Sequence, residues 1–341
     1  MAYIFPAQAK VNPSFSEPEL IVTYAQGSGF ARTLAGGAPR VRLGEDDLFV
    51  YVNRLDIRTA SVASQFGATW LPSVSLSTNY EQAQTYVLQV RNNYDGQDVR
   101  AAGRYNFGLP QAIELGQRQA INQGARSLCI YGYDASNGEG LMNTVGATAV
   151  TLPADSAGNT TVSSYISNDM YQFLLLQVQA AVQRMFQSGA NMTGKIVFLS
   201  PQQEFLRFQM SQVVQTTSYQ RPGGGTSTVA QSLQKIASEA GYEVIWAYDD
   251  TLIGKGVGGN DAVILAIPEI EVPFDPVANT NVFGTITPST KAVNVMYTDY
   301  AAPVKIITPV PDGGVTQKLE QRFTAGWCWR PQGLTIISMP F

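Results

Sequence analysis

The stretch that most constrains the fold is residues 106–133, NFGLPQAIELGQRQAINQGARSLCIYGY, with the Gly-rich DASNGEGLMN of residues 134–143 behind it. Leu109, Ile113, Gly116, Ala120, Gly124, Leu128 and Tyr131 recur at three- and four-residue steps, so on a helix they share one face. Such a helix rises about 30 Å from Pro110 to Tyr131, enough to cross a large sheet or run inside a shell wall. Three small residues in the middle of the face let another backbone come close. Gly116 and Gly124 each cost about 1 kcal/mol of helix propensity, which close packing has to offset. No histidine, charge cluster or nucleophile accompanies the stretch. It reads as a structural spine, with Leu109, Ile113, Gly116, Ala120, Gly124 and Leu128 as its candidate packing face.

Charge is the second constraint. Asp, Glu, Lys and Arg make up 14% of the 341 residues, against about a quarter in ordinary domains. A surface so poor in charge suits a protein that covers much of its outside with copies of itself, because interface centres are depleted in charge. A net charge of −4 and a pI near 5.0 argue against a tight grip on a phosphate backbone. The chain has no histidine. That removes Ser-His-Asp and Cys-His nucleophile systems, two-histidine zinc sites and facial-triad irons, and leaves carboxylate-pair or lysine chemistry open. Cys129 and Cys328 lie far apart without CxxC spacing and read as small buried hydrophobes in a reducing compartment. The opening MAYIFPAQAK lacks the basic and apolar regions of a signal peptide, and no apolar run reaches membrane-spanning length. The expectation is a soluble chain made in a cytoplasm, with no cofactor, no bound metal and no membrane partner.

Residues 1–45, with Pro6, Pro13, Pro18 and Pro39, predict an extended arm. Residues 48–57 (LFVYVNRLDI) alternate as a half-buried strand does. Strand-like stretches near 68–76 and 86–91 predict a two-stranded β arm over 60–104, with Asp95-Gly96 as a turn signal just after them. Beyond the spine, residues 141–152 read as a strand pair. A second helix over 169–187 carries the stripe Met170, Phe173, Leu174, Val178, Ala181, Val182 and Met185, with Asn168 as N-cap and Gly189 at its end. KIVFL (195–199) is a short buried strand, and Ser200-Pro201-Gln202-Gln203 predicts a capping box opening a third helix. Residues 218–227 form a loop, a fourth helix covers 229–240, and strands follow at 242–248 and 261–267. The Pro-rich segment 268–289 is irregular, with further strands near 292–298, 304–308 and within 316–337. The class is α+β, a helix–strand domain in the middle and a long β arm before it.

Gly254, Gly256 and Gly259 match G-x-G-x-x-G, but a strand follows where a helix N-terminus must receive a pyrophosphate, so a hairpin loop is expected instead. Glu45-Asp46-Asp47 and Asp249-Asp250 read as solvated turns, since adjacent residues on an extended chain point apart. Arg104, Arg118 and Arg126 are expected to pair with the scarce carboxylates across contacts between chains.

Taken in order, residues 60–340 resemble the major capsid protein of tailed bacteriophages, the Hong Kong-97-type fold also used by encapsulins. The β arm resembles the family's E-loop and residues 106–133 its spine helix. YGYDASNGEGLMNTVG (131–146) resembles the turn after that helix. KIVFLSPQQEFLRF (195–208) resembles a strand–helix step, and QRFTAGWCWRPQGLTIIS (321–338) the closing strands. The resemblance implies an N-terminal arm and first strand at 1–59 and an E-loop at 60–104. It places a peripheral domain at 105–228 with 301–341, and an axial domain at 229–300.

It further implies a non-enzymatic structural subunit of a virion. Such subunits assemble in the host cytoplasm into hexamers and pentamers of an icosahedral shell. The shell encloses double-stranded DNA without sequence-specific binding, and scaffolding, portal or decoration proteins are the further partners it admits. An encapsulin-like nanocompartment shell is the alternative, and an α+β enzyme or a phage tail component stands further off. Some family members join an E-loop lysine to a neighbour's asparagine. This chain has no lysine between Lys10 and Lys195, so a non-covalent shell is expected.

Overall fold

The computed structural model describes residues 41–44, 46–58, 75–104, 108–187, 191–192, 194–213, 227–271, 291–296, 298–300, 303–310 and 314–341. Most of the arm expected over 1–45, most of the strand expected at 68–76, all but the last residue of the loop at 218–227 and most of the segment 268–289 lie outside them. The N-terminal part holds β1 (Val41–Leu43), β2 (Phe49–Arg58), β3 (Ser75–Asp95), α1 (Gly96–Gly103), α2 (Leu109–Tyr131) and β4 (Thr148–Thr151). Next come α3 (Ser167–Gln187), β5 (Asn191–Met192), β6 (Lys195–Ser200), α4 (Gln202–Met210), β7 (Gln212–Val213), β8 (Ser227–Thr228) and α5 (Val229–Glu239). After β9 (Glu243–Tyr248) and β10 (Asp261–Ala266) run the short β11 (Glu269–Glu271), β12 (Lys291–Val293), β13 (Val295–Met296) and β14 (Thr298–Tyr300). The chain closes with β15 (Val304–Pro309), β16 (Gly314–Thr324), β17 (Trp327–Cys328) and β18 (Leu334–Met339).

One strand joins arm to body. The 21-residue β3 pairs antiparallel with β2 over residues 75–84 and with β16 over residues 85–95. At about 3.3 Å per residue such a strand spans roughly 70 Å. Its first half forms a two-stranded ribbon; its second half lies inside a sheet ordered β1-β14-β16-β3-β2, with β15 also on β16. The described part of this ribbon is 49–58 with 75–84, and residues 60–74 of the arm expected over 60–104 lie outside the described residues. Asp95-Gly96 closes no hairpin. Asp95 accepts the Gln97 N–H at 3.0 Å, Asp98 accepts the Asp95 N–H at 3.2 Å, and this capping box opens α1.

Helix α2 lies on β3 and β16. Ile121, Ala125 and Leu128 pack against Leu319, Phe323 and Ala325, with Tyr86, Leu88 and Val90 half-buried alongside. A polar pair sits in this layer: the Gln117 amide donates to the Gln317 carbonyl and the Gln317 amide to Gln117 Oε1, both at 3.0 Å.

The second sheet is ordered β4-β18-β10-β6-β9. Its central strand β10 is buried along its whole length, the reason AVILA (262–266) is a continuous apolar run rather than an alternating one. Val263 and Leu265 meet the side formed by α3 and α5, among Leu174, Met185 and Leu233. Ala262, Ile264 and Ala266 meet Cys129, Ile130 and Leu141 at the end of α2. Phe198 and Trp246, neighbours on β6 and β9, stack at 4.6 Å. The expected boundary at 228/229 runs through this sheet, because β6 and β9 lie on either side of it and pair directly.

Other expectations shift locally. Residues 141–152 hold a single turn of 3-10 helix (Leu141–Asn143) and β4, not a strand pair. Helix α3 starts at Ser167, so Asn168 lies inside it. No capping box forms at Ser200. Instead the Gln202 N–H donates to Asp250 at 2.7 Å from the loop after β9. That loop is no hairpin, since β6 lies between β9 and β10.

Candidate functional site at the end of the long helix

Four segments meet where α2 ends, and backbone geometry decides which residues they use. Gly140 has φ +87°, and a Cβ there would sit 2.3 Å from the Tyr131 carbonyl carbon. Only glycine fits. Its N–H donates to the Gly326 carbonyl at 2.8 Å, and a Cβ on Gly326 would in turn lie 1.9 Å from the Cys129 oxygen. Asn143 closes the turn with its amide, donating to the Tyr131 carbonyl at 2.7 Å and the Glu139 carbonyl at 3.0 Å.

Side chains then tie this turn to the arm strand. Tyr86 on β3 donates its hydroxyl to the Glu139 carboxylate at 2.7 Å and stacks on Tyr133 at 4.9 Å. Burial and the Glu139 charge push the Tyr86 phenol well above its usual range, so it remains a donor. On the far side, Tyr131 donates to the Thr251 carbonyl at 2.5 Å. Arg126 lies 3.6 Å from Asp249, which is fully buried and not the solvated turn expected from sequence. Arg118 pairs within its own helix with Glu114 at 2.8 Å. Lys305 and then Arg118 hold the Glu114 carboxyl below its usual range. Arg118 and Arg126 thus both find partners inside the chain.

Beside the joint opens a groove of about 610 Å³, between Phe49 and Gln82 of the arm, Gly138 and Val145 of the turn, and Trp327 and Trp329. Phe49, Tyr51 and Tyr80 form an exposed aromatic row on the arm itself, with ring centroids 6.4 and 5.8 Å apart.

The candidate packing face of the spine divides. Leu128 is buried, Leu109 and Ile113 are half-buried, and a Cβ on Gly124 would lie 3.2 Å from Leu88. Gly116 and Ala120 are exposed, and nothing stands within 4 Å of a Cβ built on Gly116. The stripe buried inside the chain is Gln117, Ile121, Ala125 and Leu128, one residue or about 100° further round. Sequence reasoning missed Gln117 because a glutamine reads as surface; its partner lies 200 residues away. Glu139, Tyr86 and Asn143 were missed for the same reason, although the two glycines around them did signal the turn.

Among the described residues, no group of three or more His, Cys, Asp or Glu side chains could hold a metal ion, and no helix is long and apolar enough to cross a membrane. Cys129 and Cys328 are free thiols, both buried, and burial pushes the Cys129 thiol far up. The hydrogen bonds of this joint tie the end of α2 to the arm strand, to the turn at 138–143 and to the loop after β9.

No family model matches the sequence, and no curated protein is similar to it. The fold does have relatives. The chain is similar to a protein of the capsid of Myoviridae phage XM1, with a TM-score of 0.63 at 11% identity, over 95% of this chain and 96% of that one. It is also similar to a protein of the capsid of an empty GTA particle, with a TM-score of 0.56 at 12% identity, over 97% and 96%. A third is from the capsid of cyanophage P-SCSP1u, with a TM-score of 0.56 at 11% identity, over 99% of both chains. The chain has the mixed helix-and-sheet fold of phage capsid proteins, as the resemblance of its sequence implied.

Proposed function

We propose that this chain is the shell-forming subunit of a tailed-phage capsid, in which copies assemble into pentamers and hexamers of an icosahedral shell around packaged double-stranded DNA. The observation that carries the reading is that the likeness to capsid proteins runs from end to end of the chain, arm included. Physical chemistry supports it independently. A two-stranded ribbon is marginally stable alone, and the arm ribbon carries an exposed aromatic row, Phe49, Tyr51 and Tyr80, with only a small cluster at Val50 and Ala83 on its described residues. A neighbour's surface supplies the missing burial. Gly116 and Ala120, open on α2, are the proposed seat of a close helix contact between copies, and the low overall charge lets such faces meet without desolvating many ions. The wall confines DNA rather than gripping it.

The test is direct. Purified full chain examined by gel filtration and negative-stain microscopy is expected to give closed shells or rings of five or six. A stable monomer at high concentration counts against the reading, and particles that carry an enzyme instead of DNA point to a nanocompartment. With no lysine from residue 11 to residue 194, the arm has no nucleophile for an isopeptide link. Boiled, reduced particles are expected to run as one monomer band on a denaturing gel, and a ladder of multimers would sink the non-covalent assembly.

A further inference from the structure

Two carboxyl groups face each other where α4 meets β10. Glu204, in the first turn of α4, is fully buried, and Asp261, at the start of β10, is 6% exposed. Both carboxyls lie against one side chain, the Gln203 amide, which donates to Asp261 and reaches Glu204 Oε1 at 3.4 Å, while Glu204 Oε2 receives no N–H or O–H from any described residue. Asp261 already accepts the Gly254 N–H at 2.7 Å and the Gln203 amide. Two carboxylates are both acceptors. They bond only if a proton lies between them, and two like charges at contact distance in a low-dielectric site do not both ionise readily.

The shared Gln203 amide is neutral, and the charged groups nearby among the described residues are engaged elsewhere. Asp261 is the charged neighbour that disfavours an ionised Glu204. Arg207, three residues along α4, donates to the Tyr165 carbonyl. Asp250 takes the Gln202 N–H, Asp249 pairs with Arg126, and Lys255 sits over the Tyr131 ring at 5.7 Å. From β18 comes the neutral Ser338, which accepts the Val257 N–H at 2.8 Å.

The pair stands at the root of the β9–β10 loop, residues 249–260. That loop reaches β18 through Val257, β10 through Gly254 and the end of α2 through Thr251. We propose that Glu204 and Asp261 share one proton, that this proton latches the β9–β10 loop, and that its loss to solvent base frees the loop and slackens the joint between α2 and the five-stranded sheet. Only one O–H bond breaks. With the proton gone, the repelled Asp261 surrenders the Gly254 N–H and the loop loses its inner tie. Burial, helped by Asp261, raises Glu204 to about 8, so the latch is closed at neutral pH and opens in the mildly alkaline range.

Hydrogen exchange read by mass spectrometry on the full chain tests this, with rates corrected for intrinsic exchange from pH 6 to pH 9.5. The peptide covering 249–261 is expected to lose protection by about tenfold per pH unit once Glu204 titrates, while the peptide covering β10 holds. E204Q, whose amide donates permanently to Asp261, is expected to remove the pH dependence and leave the loop protected. D261N, which accepts from Gly254 and donates to Glu204, is expected to do the same and serves if the first variant fails to fold. Loop protection that stays level across the range in the unaltered chain overturns the latch. So does a pH dependence that survives in either variant, or protection that follows added calcium and chelator rather than pH. Shell formation plays no part in the readout, so the latch and the capsid reading fail separately.

Discussion

At the residue scale the molecule is held by a few positions that tolerate no other side chain. Gly140 combines a positive φ with backbone atoms 2.3 Å from where a Cβ would stand. Gly140→Ala is expected to cost about 3 kcal/mol or more, read as a lower urea midpoint with an unchanged slope. Glu204 contributes in a different way. Its value of about 8 in the folded chain lies above the ordinary 4.5, so the folded state binds the proton more tightly than the unfolded one. This contribution is complete below pH 4.5 and is lost as pH rises through about 8, at up to about 1.4 kcal/mol per pH unit. Urea midpoints at pH 5, 7 and 9 check the decline, and Glu204→Gln is expected to flatten it. Neither role was readable from the chain. Gly140 looked like any turn glycine, and Glu204 stands in a helix stretch, QQEFLRFQM, where a carboxylate reads as exposed.

Elements were more legible than residues, because helix periodicity is local. The long helix, the helix at 167–187 and the helix at 229–239 sit within a few residues of their expected places, and so do β6, β9 and β10. What the local pattern does not carry is the identity of a distant partner. The stripe of α2 buried within the chain lies one residue round from the face read in sequence, where Gln117 is satisfied by Gln317. β3 changes partner midway, from β2 to β16, with nothing in its own pattern to mark the change. Asp95-Gly96 carries both a turn signal and a capping signal, and Asp98 three residues after Asp95 decided for the helix. The rotation of α2 yields a sharp prediction. Ala120 is exposed in the single chain, so Ala120→Leu is expected to change the stability of unassembled subunit by less than about 0.5 kcal/mol while sharply lowering particle yield. Thermal melts and sedimentation separate the two effects, and full particle yield from this variant would remove Gly116 and Ala120 from the proposed contact.

At the scale of the whole molecule, the two sheets are built so that neither is complete without the end of the chain. β16 lies between the arm strand and its own hairpin partner β15, and β18 lies between β4 and β10. A nascent chain still missing residues 314–339 has its long helix but only β3 beneath it, and its buried central strand β10 open along one edge. Contacts that join such distant positions form late and slowly, and an open apolar edge is a hazard while it lasts. Timing thus becomes a form of quality control: a subunit that left the ribosome unfinished cannot present a finished α2, arm and joint to a lattice. A chain stopped before Leu334 is expected to be degraded by trypsin within the time the full chain resists it, and to stay out of particles when the two are made together. Translation itself would then set the earliest moment at which a subunit is fit to join a shell.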